Sequence, residues 1–477
     1  MGAGLPGDRL TRSGAARPGV GIVHLGLGAF FRAHGAIYVA EAMAASGGDW
    51  GITGVSLRSP EARDALAPRG CAYTALELGP EGATPRVVEV IERVLVAPED
   101  PEAVLEAMAD PGVRIVTLTV TEKGYCHEPS TGALNFDHPD IIHDLGNRAP
   151  VSAPGYLVRA LERRREAGLP PFTVLTCDNL PENGRMVRGV VLELARAIDP
   201  ALADWIAAEG RFPATMVDRI VPATKPEDIA RVEELTGRHD AAAVVHEPFR
   251  QWVIEDDFVG GARPDFAAAG AQMVRDVTPF EHMKLRMLNG THSSLAYLGY
   301  LAGHETIADT MADPVFAAFA ERLWQREIIP ALTPPPGEDL ADYAAALAKR
   351  YANPAIRHRT WQIAMDGSQK LPQRILGTLG ENLAAGRASP GLILAVAAWM
   401  RYVGGVDEQG RAIDVRDPLA ARLRALSDGA EDKVAALLSL RAVFPEDLAA
   451  GLRAPLTEAY AGLLEKGARA AATEVAR

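Results

Sequence analysis

Lys284, Asn289 and His292 stand at i, i+5 and i+8 in the apolar stretch 279–292. With about 100° of rotation per residue, a regular helix sets them at 0°, roughly 140° and roughly 80°, on one broad face. A cationic acid/base, an amide donor and an imidazole gathered in one pocket suit proton transfer to or from an alcohol oxygen. The same residues also read as a solvated lysine, a helix-ending Asn-Gly and a core histidine. Spacing alone leaves both readings open.

Three further stretches bear polar groups where chemistry is plausible. The turn Gly26-Leu27-Gly28-Ala29-Phe30 follows an apolar run and precedes a helical pattern. Glycines there let backbone amides approach a pyrophosphate at the positive end of the next helix. In 176–184, Asn179 follows an apolar run and is placed to donate to a developing alkoxide, with Asp178 to orient it; a plain Asx turn is the competing reading. In 217–222, Asp218 and Arg219 sit among Val and Ile, where charges stay only if paired. No Tyr-x-x-x-Lys pair and no zinc-ligand set appears, so a chain that moved a hydride would look to Lys284 for its proton.

The elements that must position these residues are legible as apolar runs. Segments 20–25, 52–57, 114–121 and 172–177 read as buried strands, alternating with helical patterns at 31–45, 101–110 and 154–167. Segment 87–96 is β-branched and reads as one added strand or hairpin partner. Beyond residue 280 helical patterns dominate, as at 317–328, 340–350 and 392–402, with a rigid loop at 333–337. This order predicts an α/β protein with a doubly wound, mostly parallel sheet in 1–275 and a mainly α-helical C-terminal domain in 276–477. The second strand ends in Ser56-Leu57-Arg58 without an acid to hold a ribose, and Arg58 would suit a 2′-phosphate, so charge leaves NAD against NADP open.

Bulk numbers narrow the partners. The 477 residues carry a net charge of −13, which argues against nucleic acid as a partner. Hydrophobic content of 48% and charged content of 23% are those of a globular protein with a large core. No run approaches a membrane span and no signal-peptide pattern opens the chain. Cys71, Cys126 and Cys177 are scattered and odd in number, so reduced thiols in a cytoplasmic protein and no metal are expected.

Taken together, 212–222 and Lys284-x4-Asn289-x2-His292, in that order behind a G-x-G turn, resemble the polyol-specific long-chain dehydrogenases, the mannitol dehydrogenase and fructuronate reductase group. The resemblance runs from Gly21 to about Pro418. It implies a Rossmann-like N-terminal domain, NAD(H) as cofactor, metal-independent hydride transfer, and a site in the cleft between two domains. Lys284 would be the general acid/base, its pKa brought down from roughly 10.4 by burial or cationic neighbours. Asn179 and Asn289 would polarise the reacting oxygen. His292 and Asp218 would orient substrate hydroxyls or catalytic groups, and Glu281 would pass protons to solvent. Gly26, Gly28, Ala29, Phe30, Arg58 and Thr121 would meet the dinucleotide.

Within the group, 119–126 and 357–374 are more similar to fructuronate reductases, which interconvert D-fructuronate and D-mannonate, than to mannitol 2-dehydrogenases. The latter tend to carry glycine in place of Lys123 and arginine in place of Gln362. The stretches 406–410 and 413–418 extend the match. A sugar acid needs a basic anchor for its carboxylate. Lys123, Arg357, Arg359, Lys370 and Arg374 are the local candidates, with Lys370 favoured by the resemblance and Arg359 and Lys123 next to it. A mannitol 2-dehydrogenase acting on fructose is the alternative in the same class. A nucleotide-binding sensor that had lost catalysis has no need for Lys284, Asn289, His292 and Asn179 together.

Overall fold

The run Val-Gly-Ile-Val-His-Leu forms strand β1, Val20–Leu25, buried from its second residue onward. Near-continuous apolar strands of this kind belong to parallel sheets covered on both faces. The computed structural model, which describes residues 8–128, 131–146 and 149–477, bears this out. β2 (Gly51–Ser56), β5 (Ile91–Val96), β6 (Ile115–Leu118) and β7 (Thr173–Thr176) join β1 in a five-stranded parallel sheet ordered β5-β2-β1-β6-β7. Leu25 faces Val55 on one side and Leu118 on the other. The chain leaves β1 toward β2 and later returns to its opposite side at β6. In doubly wound folds the crevice for a ligand opens at that reversal, at the carboxyl ends of the strands.

Three smaller sheets accompany it among the described residues, the smallest the parallel pair Asp8–Arg9 and Arg238–His239. β3 (Tyr73–Gly79) and β4 (Gly82–Val88) form a hairpin that β9 (Val244–His246) joins in parallel. β8 (Thr215–Asp218) and β11 (Gln272–Val274) flank β10 (Gln251–Glu255).

Two expectations from the sequence are amended here. The β-branched stretch 87–96 is two elements: Val88 closes the hairpin opposite Tyr73, and Ile91 starts an edge strand of the main sheet. Composition does not change across Glu89, so nothing local marks the change of sheet. The single helix expected at 31–45 is two, Ala29–Ala33 and Gly35–Ser46, broken at His34. The His34 ring bonds Gln251 O at 3.0 Å and lies 5.5 Å from the Trp252 ring, so packing decides the break.

By Cα packing the chain divides into units Met1–Thr278 and Pro279–Arg477. The second unit is helical throughout, with isolated bridges only at Thr306–Arg359 and Val406–Ala412. Thr291–Leu301 and Pro390–Val403, buried along most of their length, pack together at its centre. Thr291–Leu301 continues from Thr278–Met283 through a π-helical segment, Lys284–Gly290.

Candidate active site

In the sheet unit, the two glycines of the first turn serve different ends. Gly26 has φ +89°, and a Cβ there would stand 2.2 Å from Thr119 O, so close packing against the end of β6 demands glycine. Gly28 precedes the helix Ala29–Ala33 with an unremarkable φ of −102° and is exposed. A Cβ there would meet only Gly26 O at 3.8 Å, so packing does not require glycine. Beneath the turn, His24 joins β1 to β6: its ring contacts Thr117 Oγ1 at 2.8 Å and Thr119 Oγ1 at 2.9 Å and stacks on Phe31. Burial pushes its pKa down to about 3, so the ring is neutral.

At the ends of β6 and β7, Asp178 holds the main chain of the next loop. Its carboxylate accepts from the Val120 amide (2.8 Å), the Thr121 amide (3.0 Å) and the Tyr125 hydroxyl (2.7 Å). Thr121 is a β-branched residue at φ +64°, a strained conformation held by these bonds. Burial raises the pKa of Asp178, opposed chiefly by the Val120 amide and Tyr125. Asp178 therefore shapes the 120–125 loop. Asn179 itself is exposed at the end of β7. Asn183 ties the end of β7 to β8 through Thr215, donating to its carbonyl (2.8 Å) and accepting from its amide (3.0 Å).

Asp218, at the end of β8, is buried. Its neighbour Arg219 donates to Ala33 O at 2.7 Å and to Glu247 O and Phe249 O, so this guanidinium is a main-chain anchor. Arg58 and Lys123 are exposed, the first just after β2 and the second on the short turn Thr121–Gly124. Ala29 and Phe30 open the first helix, half-buried.

In the helical unit, the π segment changes the geometry expected for 284–292. A π-helix bonds i to i+5 and turns less per residue than an α-helix, so residues five apart lie closer together around the axis. Lys284 and Asn289 come onto one side of the helix instead of about 140° apart. Lys284 is buried, 7% exposed, and Asn289 is half-buried. His292 is 6% exposed, stacked on Tyr351 (5.2 Å between centroids) and edge-on to His358 (4.8 Å). Burial above all, then His358, Arg374, Arg350 and Lys370, holds the His292 pKa well below its ordinary value. His358 is pushed down to about 4 by burial, Lys370 and Arg374. Both rings are neutral, and a group of cations surrounds them.

Lys370 lies on the helix Gly367–Leu371 and donates to Met365 O at 2.6 Å. That helix is pinned by Ser368, whose amide and hydroxyl reach Asp417 at 2.7 and 2.5 Å. Arg374 donates to Ser293 Oγ at 3.0 Å, one residue along from His292. Arg359 is not brought into this group. Residues 358–360 run extended beside 305–307, so alternate side chains face opposite ways. His358 turns toward His292, whereas Arg357 and Arg359 turn to Glu305 at 3.8 and 3.4 Å. Arg359 lines a separate cavity of about 430 Å³ with Trp361, Asp407 and Arg411. Gln362 is exposed. Sequence reasoning gave His358 no role, because a histidine between two surface arginines carries no local sign of burial.

The three cysteines are buried and unbridged. Among the described residues, Cys126, His138 and Asp140 offer ligand atoms within 4.8 Å of one another, a grouping the sequence spacing had not disclosed. There the His138 Nδ1 already accepts from the Asp140 amide at 3.2 Å, capping the helix Pro139–Asp144. No helix among the described residues is long and apolar enough to cross a membrane.

Comparison with known proteins gives the family. Residues 20–267 match the mannitol dehydrogenase Rossmann domain, and 276–464 match the mannitol dehydrogenase C-terminal domain. The chain belongs to the mannitol dehydrogenase family. It is an oxidoreductase of that family. A D-mannonate oxidoreductase of Escherichia coli is 50% identical over 94% of each chain. A mannitol 2-dehydrogenase of Pyricularia oryzae is 42% identical over 90% of this chain and 87% of its own. The solved structure of Pseudomonas fluorescens mannitol 2-dehydrogenase, a ternary complex with NAD and D-mannitol, superposes with a TM-score of 0.88 at 38% identity. It covers 99% of this chain and 97% of its own.

Proposed function

We propose that this protein interconverts D-fructuronate and D-mannonate with NAD(H), by metal-independent hydride transfer in which Lys284 is the general acid/base. The observation that carries the choice of substrate is the 50% identity to a D-mannonate oxidoreductase across 94% of both chains, against 42% and 38% for two mannitol 2-dehydrogenases.

The residues fit a dinucleotide. Gly28 keeps its backbone bare where no neighbouring side chain requires it, in the crevice at the reversal of strand order. Gly26, Ala29, Phe30, Arg58 and Thr121 border the same strand ends. When bound, the nicotinamide supplies hydride to the ketone or takes it from the alcohol. Reduction also needs a proton on the carbonyl oxygen, and Lys284 gives it; in oxidation Lys284 takes it back. Burial of Lys284 keeps that transfer out of bulk water. Asn289 and Asn179 donate hydrogen bonds to the oxygen as charge develops on it. His292, held neutral, orients a substrate hydroxyl together with Asp218. Glu281, one turn before Lys284, exchanges its proton with solvent.

A fructuronate carries a carboxylate remote from its ketone. Lys370, with Arg374 close by, supplies the cation to hold it. The mannitol 2-dehydrogenase reading, favoured by the likeness to the mannitol-bound structure, remains the second. Oxidation of NADH followed at 340 nm with D-fructuronate, D-tagaturonate and D-fructose side by side decides between them. A kcat/KM for fructose equal to or above that for fructuronate overturns the first reading.

A further inference from the structure

The wide turn that carries Lys284 and Asn289 is held by side chains from outside its own helix. A helix that changes from i→i+5 to i→i+4 bonding serves the carbonyls at the junction poorly. Here Leu288 O takes a bond from Thr291 N–H, only three residues on. Two consecutive carbonyls at this junction accept side-chain donors. The Trp324 indole N–H donates to Met287 O at 3.1 Å, and the Tyr351 hydroxyl donates to Leu288 O at 2.6 Å. Both donors are buried and come from separate elements, Trp324 from the π segment Leu323–Ile328 and Tyr351 from the end of the helix Leu340–Tyr351.

Their rings stack on each other at 6.3 Å, and Tyr351 stacks on His292 in turn. A third element closes the far end: a Cβ on Gly290 would stand 2.6 Å from Arg374 O, on the π segment Pro372–Leu376. Lone π turns relax readily to α. This one is clamped at Met287, Leu288 and Gly290.

We propose that Tyr351 and Trp324 are positioning residues that lock the π turn, and so set the angle between the Lys284 ammonium and the Asn289 amide. The inference rests on the reading of Lys284 and Asn289 as acid/base and oxygen-polarising donor. Without the clamp the segment winds tighter, and five-residue spacing again spreads the two groups around the helix. The rings would still fill the core, so the loss falls on chemistry more than on folding.

The test is Tyr351→Phe, which keeps the ring on His292 and removes only the donor to Leu288 O. Tyr297→Phe is the control, since Tyr297 makes a similar buried bond to Ala364 O at 3.2 Å away from the π turn. Rates of NADH-dependent reduction are measured on D-fructuronate, or on fructose if that is the ketone turned over, across pH. We expect Tyr351→Phe to lower kcat about a hundredfold, as misplacement of a reacting group by about 1 Å does. Its KM should change little, and its pH–kcat profile should move. Tyr297→Phe should lose comparable thermal stability and keep both kcat and profile.

If Tyr351→Phe matches the control in kcat and profile, the inference is wrong. Should Tyr351→Phe fail to fold, Trp324→Phe puts the same question through Met287 O. Lys284→Met separates the two levels: turnover surviving that change sinks the acid/base reading itself. An inactive Lys284→Met beside an ordinary Tyr351→Phe sinks only the clamp.

Discussion

Asp178 and His292 belong to the candidate groups of their own units, and they are held in opposite ways. Asp178 gives its carboxylate to two main-chain amides and a tyrosine, so the side chain fixes the backbone. His292 lies between aromatic rings on a helix whose widened turn is fixed from outside, so the backbone fixes the side chain. The same contrast runs through each unit. Around the sheet crevice, Asn183, Thr215 and Arg219 all bind main-chain groups, while the exposed surface offers Asn179, Arg58 and the bare Gly28. In the helical unit, Lys284, His292 and His358 are titratable groups withdrawn from water. On the proposed function, one unit receives a ligand along its backbone and the other holds reactive side chains dry. Damage to the first should therefore appear in folding or cofactor affinity, and damage to the second in rate.

The most severe break of that division is Lys284→Met. Loss of a general acid/base costs about 10²–10⁴ in rate, and kcat should fall to the lower end of that span. The Kd for NADH, from fluorescence titration, should stay within about twofold if the units divide the work as described. Loss of NADH binding in this variant would erase the distinction.

The two glycines sharpen it within the sheet unit. Gly26→Ala forces a Cβ to 2.2 Å from Thr119 O at positive φ. It should lower the urea-unfolding free energy by about 2–3 kcal/mol. Gly28→Ala meets only Gly26 O, at an ordinary contact distance of 3.8 Å, and stability should move by no more than about 0.5 kcal/mol while Kd for NADH rises roughly tenfold. Equal stability losses in the two variants would show that packing, not a ligand, requires both.

Lys370→Met tests what the helical unit's cations are for. A charged hydrogen bond contributes about 1.5–3 kcal/mol, so KM for D-fructuronate should rise roughly 10- to 100-fold. That for fructose should barely change. Parallel losses on both substrates would remove the carboxylate-anchor role.

The smallest effect is on acid stability. The His358 pKa falls from its ordinary 6.5 to about 4 in the folded chain. Between those values the unfolded imidazole binds a proton that the folded one refuses, so stability is lost as pH falls from about 6.5 toward 4. His358→Gln should flatten that part of the curve by on the order of 1–2 kcal/mol. His246 in the sheet unit, also lowered to about 4, provides the matching variant there. An unchanged slope in His358→Gln would mean that its ring is not held neutral.

Much of the fold was legible because a parallel strand buried on both faces needs an unbroken apolar run, and 20–25, 52–57 and 172–177 display it within a residue or so of the strands observed. The G-x-G turn and the Lys284–Asn289–His292 spacing were equally local signals. The break at His34, the split at Glu89 and the outward turn of Arg359 were hidden, because each depends on a partner distant in sequence: Gln251, the β3 hairpin and Glu305. His358 and Arg359 are adjacent and both polar. Only the extended pairing with 305–307 sends one toward His292 and the other to Glu305.

Residue types and their order thus determined the class of chemistry, the two-part architecture and the family. The architecture follows from burial periodicity, and the family from the resemblance carried by 212–222 and by the Lys284, Asn289 and His292 pattern. The tertiary structure alone decided how that pattern maps onto directions in space. Helical period is a property the chain inherits from its packing: with Trp324, Tyr351 and the backbone at Arg374 pressing on 284–290, the segment winds wider than an α-helix, and Asn289 comes round toward the side of Lys284.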